Sequence, residues 1–424
     1  MRTSPGMVGH HRGWLARPSS AIQGLALFAF LSSLLTLPWA YRFTGLAMVS
    51  LAAMAIVMRR SLPRDAESLA WVAMLALFGC QLVLDAGRSG APLARYTTPS
   101  LPWWPWLGLL LLLAWCARPP AECWWWRGIT LGAVLSGLKA LYDRLIEDER
   151  RAGDLINAIP FGNLSLVFGV LSLVWWLDNV SEGRRGLFLW WAALGAVMGL
   201  LGSLLSGTRG GWLTLPLVML VLIMRHGQRA RLYWSALAPR RRFAFRLTVT
   251  LVIGVATLVA LPRLWALAED IVLLWRQGAV DTNAGLRWHL WGIAGDAFAA
   301  RPLWGWGEDG LVVWLETLIA AGQLPEGMAG IGFQLHSDVL DTAARRGLAG
   351  VALLLLFYGV PLASFVRRLD HGDGQCRALA LSGALIVVMY AGFGLTQTMF
   401  RDPHTFSAYL VMCAACFALL RTRG

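Results

Sequence analysis

Residues 281–348 read DTNAGLRWHLWGIAGDAFAARPLWGWGEDGLVVWLETLIAAGQLPEGMAGIGFQLHSDVLDTAARRGL. This is the one long part of the 424-residue chain that cannot sit in a bilayer. It holds Arg287 in Gly-Leu-Arg-Trp-His-Leu-Trp, and a Gly/Trp turn at Pro302-Leu-Trp-Gly-Trp-Gly307. It ends with His336 leading into Arg345-Arg346-Gly347. On either side the chain reads as membrane helix. The expectation is a helical bundle that holds this stretch, with a few nearby arginines, against an anionic group carried on a lipid.

Composition sets the class. The chain is 57% hydrophobic and 14% charged, whereas soluble domains run at roughly 45–50% and about 25%. That is the balance of a polytopic membrane protein. The net charge of +13 is almost wholly arginine, with Lys139 the only lysine. The arginines are scattered between apolar spans, which fits anionic lipid head groups and topology and gives no support to a nucleic-acid partner. Cys413 and Cys416 form a CxxC inside an apolar helix, which reads as packing by small hydrophobes. No cysteine pair has zinc-site spacing with histidines nearby. An outside Asp-x-Asp pair, a His-Glu-x-x-His and a Walker loop are all lacking, so the sequence gives no support for a metal, a cofactor or ATP.

A spanning helix needs about 20 mostly apolar residues. Twelve segments qualify, near 21–40, 43–58, 68–86, 101–117, 124–142, 161–177, 187–206, 211–225, 243–262, 348–366, 378–397 and 405–421. With the N-terminus inside, 22 arginines fall in cytoplasmic segments and 14 outside. The excess puts both termini in the cytoplasm and 262–347 outside. The fold expected is an all-α, single membrane domain over 1–424, with a small helical cap at 262–347 between the ninth and tenth spans. Within the cap, 262–284 reads as an interfacial helix. Residues 286–300 and 308–322 read as amphipathic helices, with Glu308 and Asp309 at a dipole-favoured N-terminus.

Few residues outside the spans can carry chemistry. Arg209, in Ser206-Gly-Thr-Arg-Gly-Gly-Trp, lies beside a helix start. Free N–H groups, glycines and a guanidinium there make an anion site; a plain turn with a snorkelling arginine is the other reading. Arg287 is either a second phosphate ligand or a solvated helix-face charge. A helix drawn over Gln334–Arg346 puts His336 on a stripe with Val339, Leu340, Ala343 and Gly347, opposite Asp338, Asp341 and Arg345. His336 is then a core group or a general base. An orienting partner for it must come from another segment. Lys139, inside the fifth span, has Asp143 one turn on and is a site residue or half of an internal pair. Arg401 and His404, in Arg401-Asp-Pro-His404, add cations to the site or cap a helix start. The charged region 143–159, which opens Asp143-Arg-Leu-Ile-Glu-Asp-Glu-Arg-Arg151, reads as an outside loop or as a solvated helix end with mixed charges.

In combination these residues resemble the O-antigen ligase/polymerase superfamily. The resemblance rests on Phe161-Gly-Asn163, Thr208-Arg209-Gly210 and Arg287 followed by Trp291. It also rests on Pro302-Leu-Trp-Gly-Trp-Gly307, and on His336-Ser-Asp-Val-Leu with Gly347 and Gly350. It covers about residues 160 to 400. Two departures stand out: Ser337 where the family usually has Asn, and a lone Asn163 where Asn-Pro-Asn is common. The resemblance implies a GT-C-like glycosyltransferase of the lipopolysaccharide O-antigen ligase type, in a bacterial inner membrane with a periplasmic site. It implies an undecaprenyl-pyrophosphate-linked glycan donor, a lipid A–core acceptor, inversion and no metal. By position, His336 is then the base, and Arg209 and Arg287 hold the pyrophosphate. Lys139, Arg345, Arg401 and His404 are the further substrate-binding candidates. Rival readings are an O-antigen polymerase, a protein O-oligosaccharyltransferase, or a lipid or polysaccharide transporter. A transporter calls for repeats and for midplane charges in several helices, and here only Lys139 qualifies.

Overall fold

The computed structural model describes residues 18–57, 64–88, 100–184, 186–236, 238–278, 282–323 and 334–423. Asp281, at the start of the expected polar turn, lies outside them, as do Arg2, Arg12, Arg17, Arg59, Arg60, Arg95 and Arg185. Helix is the regular structure throughout, and no strand occurs among the described residues. In chain order the helices are α1 (Pro18–Ser33), α2 (Ala40–Val57), α3 (Ala66–Arg88), α4 (Trp104–Ala117), α5 (Glu122–Leu145), α6 (Ala158–Ser181), α7 (Leu187–Ser206) and α8 (Arg209–Trp212). They continue with α9 (Leu215–Ala236), α10 (Pro239–Gln277), α11 (Asn283–Ala300), α12 (Glu308–Ala320), α13 (Asp338–Val366), α14 (Gly374–Gly394) and α15 (Pro403–Arg421).

Each of the twelve expected segments holds a helix. Among the described residues, seven helical runs are long and apolar enough to cross a membrane: α3, α6, α7, the α8–α9 run Arg209–Gly227, α13, α14 and α15. Two shorter apolar helices, Ser20–Ser33 and Leu101–Ala117, join them. The sequences of α6, α14 and α15 are apolar all round because these helices are enclosed by others on nearly every side. Close backbone approach joins α6 to α7: a Cβ on Gly199 would lie 2.6 Å from the Cα of Gly169. Small residues permit such contact between membrane helices. It brings the turn after α7 onto the start of α6, where Thr208 Oγ1 donates to the Ala158 carbonyl at 2.9 Å.

The expected break at residue 262 does not occur. α10 runs unbroken from Pro239 to Gln277, with Pro262 inside it. A proline removes one bond of the helix ladder, and the Leu, Ala and Val residues on both sides carry the helix through. At 1.5 Å per residue, its 39 residues span roughly 58 Å, against a hydrocarbon core of about 30 Å. The surplus carries Arg263 and Asp270 beyond the bundle to the cap.

The cap has its own core. Leu290, Ile293, Ala294 and Ala297 of α11 meet Leu311 and Leu315 of α12, with Leu335 and Ala344. α13 is broken at Gly347 (φ 61°, ψ −158°), so a stub at 338–346 belongs to the cap and the rest to the bundle. The Pro302–Gly307 turn lies along this break. Leu348 N donates to the Pro302 carbonyl at 2.7 Å, and Gly307 N to the Arg345 carbonyl at 2.8 Å. A Cβ on either Gly305 or Gly347 would strike the opposite backbone, and both have positive φ. That is why this motif needs glycine. From α3, Arg88 donates to the carbonyls of Trp304 at 2.9 Å and Gly305 at 3.1 Å.

Beneath the turn lies a buried ion network centred on Glu308. Its carboxylate meets Arg345 Nη1 at 3.1 Å, Arg401 Nη1 at 2.8 Å, and Arg346 Nη2. Arg345 Nε also meets Asp341 at 3.0 Å, and Arg346 Nε meets Asp85 of α3 at 3.0 Å. Burial works to raise the Glu308 carboxyl, but Arg401, Arg345 and Arg346 outweigh it and hold the group far below the usual carboxylate range. Removing one partner of a buried charge cluster leaves the others uncompensated. Glu308→Ala is therefore expected to destabilise the fold by about 3–5 kcal/mol, read as a lowered thermal midpoint in detergent.

Candidate active site

A group of guanidiniums gathers where the turn after α7 meets the outer part of α10 and the start of α11. Arg209 opens α8, and its Nη1 lies 3.7 Å from Asp270 of α10. Arg151 Nε donates to the Ser206 carbonyl at 2.8 Å. The Arg263 guanidinium lies over Gly207, where an added Cβ would be 3.2 Å from Cζ. Arg287 is in the first turns of α11, a helix capped by Thr282, whose Oγ1 accepts from Gly285 N at 3.1 Å. The four are close enough to act on one another. Burial lowers the Arg287 pKa and the Arg209 charge lowers it further. Burial lowers Arg151, and Arg263, Arg209, Arg287 and Arg150 add to that. Burial lowers Arg263, helped by Arg209, Arg150 and Arg144. Asp270 is the one carboxylate within ion-pair distance of the four among the described residues. Half-buried like charges with so little compensation make an anion site, and forked guanidiniums match phosphate oxygens.

His336 lies beside this group, but not in the helix drawn for it from the sequence. α13 begins at Asp338, with Ser337 as its N-cap and His336 before it at φ 49°. The stripe with Val339 and Leu340 therefore does not apply. The capping hydroxyl is the physical reason: Ser337 Oγ accepts from Leu340 N at 3.4 Å and donates to the Gly394 carbonyl at 3.3 Å. His336 Nδ1 lies 3.0 Å from Gln397 Oε1. Burial pushes the imidazole below its usual value; the Gln397 hydrogen bond opposes this and the Arg287 charge adds to it. The sequence left the partner of His336 open, and it is Gln397. The same turn touches Arg209's segment, since a Cβ on Gly210 would strike Thr396 Oγ1. Thr396-Gln397-Thr398 thus bridges the arginines and the histidine.

Arg209, Arg287 and His336 are therefore brought together, while the other candidates are placed differently. Arg345 is fully buried and Arg401 nearly so, and both are held by Glu308 and Asp341. Lys139 pairs with Asp143 and lies 3.7 Å from Glu147. Asp143 also accepts from Gly153 N at 2.8 Å, so this pair ties α5 to the loop that carries Arg151. His404 faces the α1–α2 connection: Nε2 lies 3.1 Å from the Pro38 carbonyl, and the ring is 4.3 Å from that of Tyr41.

Comparison with known proteins adds a family to this geometry. Residues 194–355 match the model of the O-antigen ligase family. This part of the chain is an O-antigen ligase superfamily region. That match supports a glycosyltransferase-type enzyme, and together with the apolar helices it supports a membrane protein. An uncharacterised protein of Haemophilus influenzae is 22% identical over 296 residues, covering 68% of this chain and 71% of that one. Arg209, Arg263, Arg287 and His336 fall inside the O-antigen ligase region; Arg151 and Gln397 lie outside it and reach the site through the fold.

Sequence reasoning did not assign Arg151, Arg263 or Gln397 to the site. From the sequence, Arg151 belongs to the charged region 143–159 and Gln397 closes the span 378–397. The polar run Thr396-Gln-Thr398 at an apolar helix end was the available signal. Inorganic pyrophosphate is expected to raise the thermal midpoint of the purified protein, by an amount equivalent to about 2.7 kcal/mol at a hundredfold excess over Kd. Arg287→Met should abolish most of that rise. It should also raise the unliganded midpoint by roughly 1–3 °C, since it relieves like-charge repulsion.

Proposed function

We propose that this chain transfers a glycan from a polyprenyl diphosphate to a sugar hydroxyl, as an O-antigen ligase working at the outer face of a bacterial inner membrane. The supporting observation is one place that combines a guanidinium group short of counter-charge with an imidazole whose Nδ1 is engaged. Nε2 has no partner among the described residues. The donor on this reading is undecaprenyl-pyrophosphate-linked O-antigen, and the acceptor is lipid A–core. The architecture on this reading is a twelve-span, GT-C-like bundle with both termini cytoplasmic and residues 262–347 periplasmic. The apolar faces of the bundle border the polyprenyl tail.

The chemistry balances with these residues alone. His336 Nε2 takes the proton of the acceptor hydroxyl as its oxygen bonds to the anomeric carbon. The bond from that carbon to the diphosphate oxygen breaks on the opposite face, which inverts the centre. The electron pair leaves with the diphosphate, and Arg209 and Arg287, with Arg151 and Arg263, stabilise the developing charge. The proton then passes from His336 to solvent. A diphosphate is already a good leaving group, so fixed cations in a half-buried site supply most of what the reaction needs, and the arginines do the work that a divalent cation does elsewhere.

Purified His336→Ala is expected to insert normally and to lose roughly 10²–10⁴-fold in transfer from the lipid-linked donor to lipid A–core. Full transfer by that variant would remove the base assignment. Arg209→Ala or Arg287→Ala should cost about 10²–10³-fold, and activity should persist in chelator. The base must be neutral to work, and the His336 pKa is lowered from its ordinary 6.5. The acidic limb of kcat/KM is therefore expected below pH 6.5, with activity falling as pH drops through it. Offering a second O-antigen unit or a protein hydroxyl in place of lipid A–core separates ligase from polymerase and protein transferase.

A further inference from the structure

We propose that Gln397 is a positioning residue that accepts a hydrogen bond from His336 Nδ1–H and so fixes the tautomer in which Nε2 faces the acceptor hydroxyl. The inference rests on the glycosyl-transfer reading above, and it assigns a role to a residue outside the O-antigen ligase region.

His336 has φ 49°, an uncommon conformation for a residue with a side chain, and one that the surroundings must hold. They hold it from both sides in sequence. Thr398 Oγ1 donates to Gln334 Oε1 at 3.0 Å, and Leu335 N donates to Asp341 Oδ1 at 3.3 Å. Ser337 Oγ donates to the Gly394 carbonyl at 3.3 Å, and Phe400 N to Asp338 Oδ1 at 3.3 Å. The segment 334–338 is thus stitched to the α14–α15 connection, and the imidazole meets that same connection through Gln397 at 3.0 Å.

A neutral imidazole has one nitrogen that can take a proton, and the hydrogen bond at the other decides which. An amide oxygen only accepts. With Oε1 at Nδ1, the ring hydrogen is on Nδ1 and the lone pair is on Nε2. The reverse arrangement, with the amide NH₂ donating to Nδ1, would put the hydrogen on Nε2 and leave no base there. The choice of amide over carboxylate also has a reason. The charged groups that act on the ring are Arg287 of α11 and Asp341 of α13. A second carboxylate at 397 would stand against the arginines and compete with a diphosphate for them. Glutamine orients the ring without adding charge.

The test is a pH profile of glycan transfer by the full-length protein in lipid, with Gln397→Glu, Gln397→Ala and His336→Ala side by side. The Glu side chain keeps the shape and offers acceptor oxygens alone. Gln397→Glu is expected to retain kcat at high pH to within about tenfold. Its acidic limb should move up by about half a unit or more, because a carboxylate stabilises the imidazolium. Gln397→Ala is expected to lose roughly 10–100-fold in kcat, with its acidic limb moved down and donor KM little changed. A Glu variant as impaired as the Ala variant, with the limb unmoved, would overturn the proposal; so would an Ala variant of wild-type kcat and profile. Undiminished transfer by His336→Ala would instead strike the reading beneath it.

Discussion

The carboxylate of Glu308 is the point on which the cap depends. It takes guanidiniums from Arg345 and Arg346 on the α13 stub and from Arg401 on the turn before α15. Charges taken out of water are costly unless paired and hydrogen-bonded, and a pair stripped of one member is worse than none. The cap therefore has one low-energy seating, with the start of α12, the stub and the 399–401 turn all converging on one carboxylate. Arg346 extends the network to Asp85 of α3, so the bundle is included. The consequence reaches the chemistry. The turn that supplies Arg401 begins with Thr396, Gln397 and Thr398, the residues against Gly210, His336 and Gln334. A network closed on its own carboxylates thus sets where the imidazole and Arg209's turn sit.

The two arginine groups are built on opposite terms. Around Glu308 each guanidinium is met by carboxylate oxygens, and the Arg401 pKa is raised, Glu308 and Asp341 prevailing over burial. Around Arg209, burial and neighbouring guanidiniums lower the pKa values of Arg287, Arg151 and Arg263, and Asp270 is the one carboxylate at ion-pair distance among the described residues. The first group contributes order. The second carries unrelieved repulsion, held in place by Arg151's bond to Ser206 and by the close packing of α6 against α7. A fold keeps such a cluster at a cost in stability, and an anionic ligand removes that cost on binding.

The helices were legible because each apolar run is long and needs no knowledge of its neighbours. The placement of α10 was not: composition changes near Pro262, but backbone propensity does not, so an interfacial helix was drawn where one long helix runs on. The phase of His336 departs from the helix drawn over Gln334–Arg346 for a local reason that the sequence contains. Ser337 before Asp338 is an N-cap signal, and it starts the helix after the histidine. Arg401 reads as a spare cation because Glu308 lies 93 positions away; for Arg345 the i,i+4 partner Asp341 is legible in the sequence, and Glu308, 37 positions away, is not. Arg151 and Gln397 looked ordinary for the same reason. Charge convergence across such separations is a property of the packed chain, and no window of sequence carries it.

Histidine and arginines act on each other through their fields, and this links the two halves of the proposed reaction. Arg287 works against protonation of His336. A diphosphate in the cluster offsets that positive field, so the imidazole becomes a better base when the donor is in place. As the glycosidic bond breaks, the diphosphate gains negative charge while the imidazole gains positive charge. Each change makes the other easier, and the stabilisation is greatest where both are partly complete, which is the transition state. A histidine remote from the arginines would lack this coupling. A carboxylate base in its place would be drawn into ion pairs with them and held below the basicity the hydroxyl requires. On the proposed reading, a neutral imidazole held by a neutral amide is a base that can stand beside the guanidiniums without cancelling them.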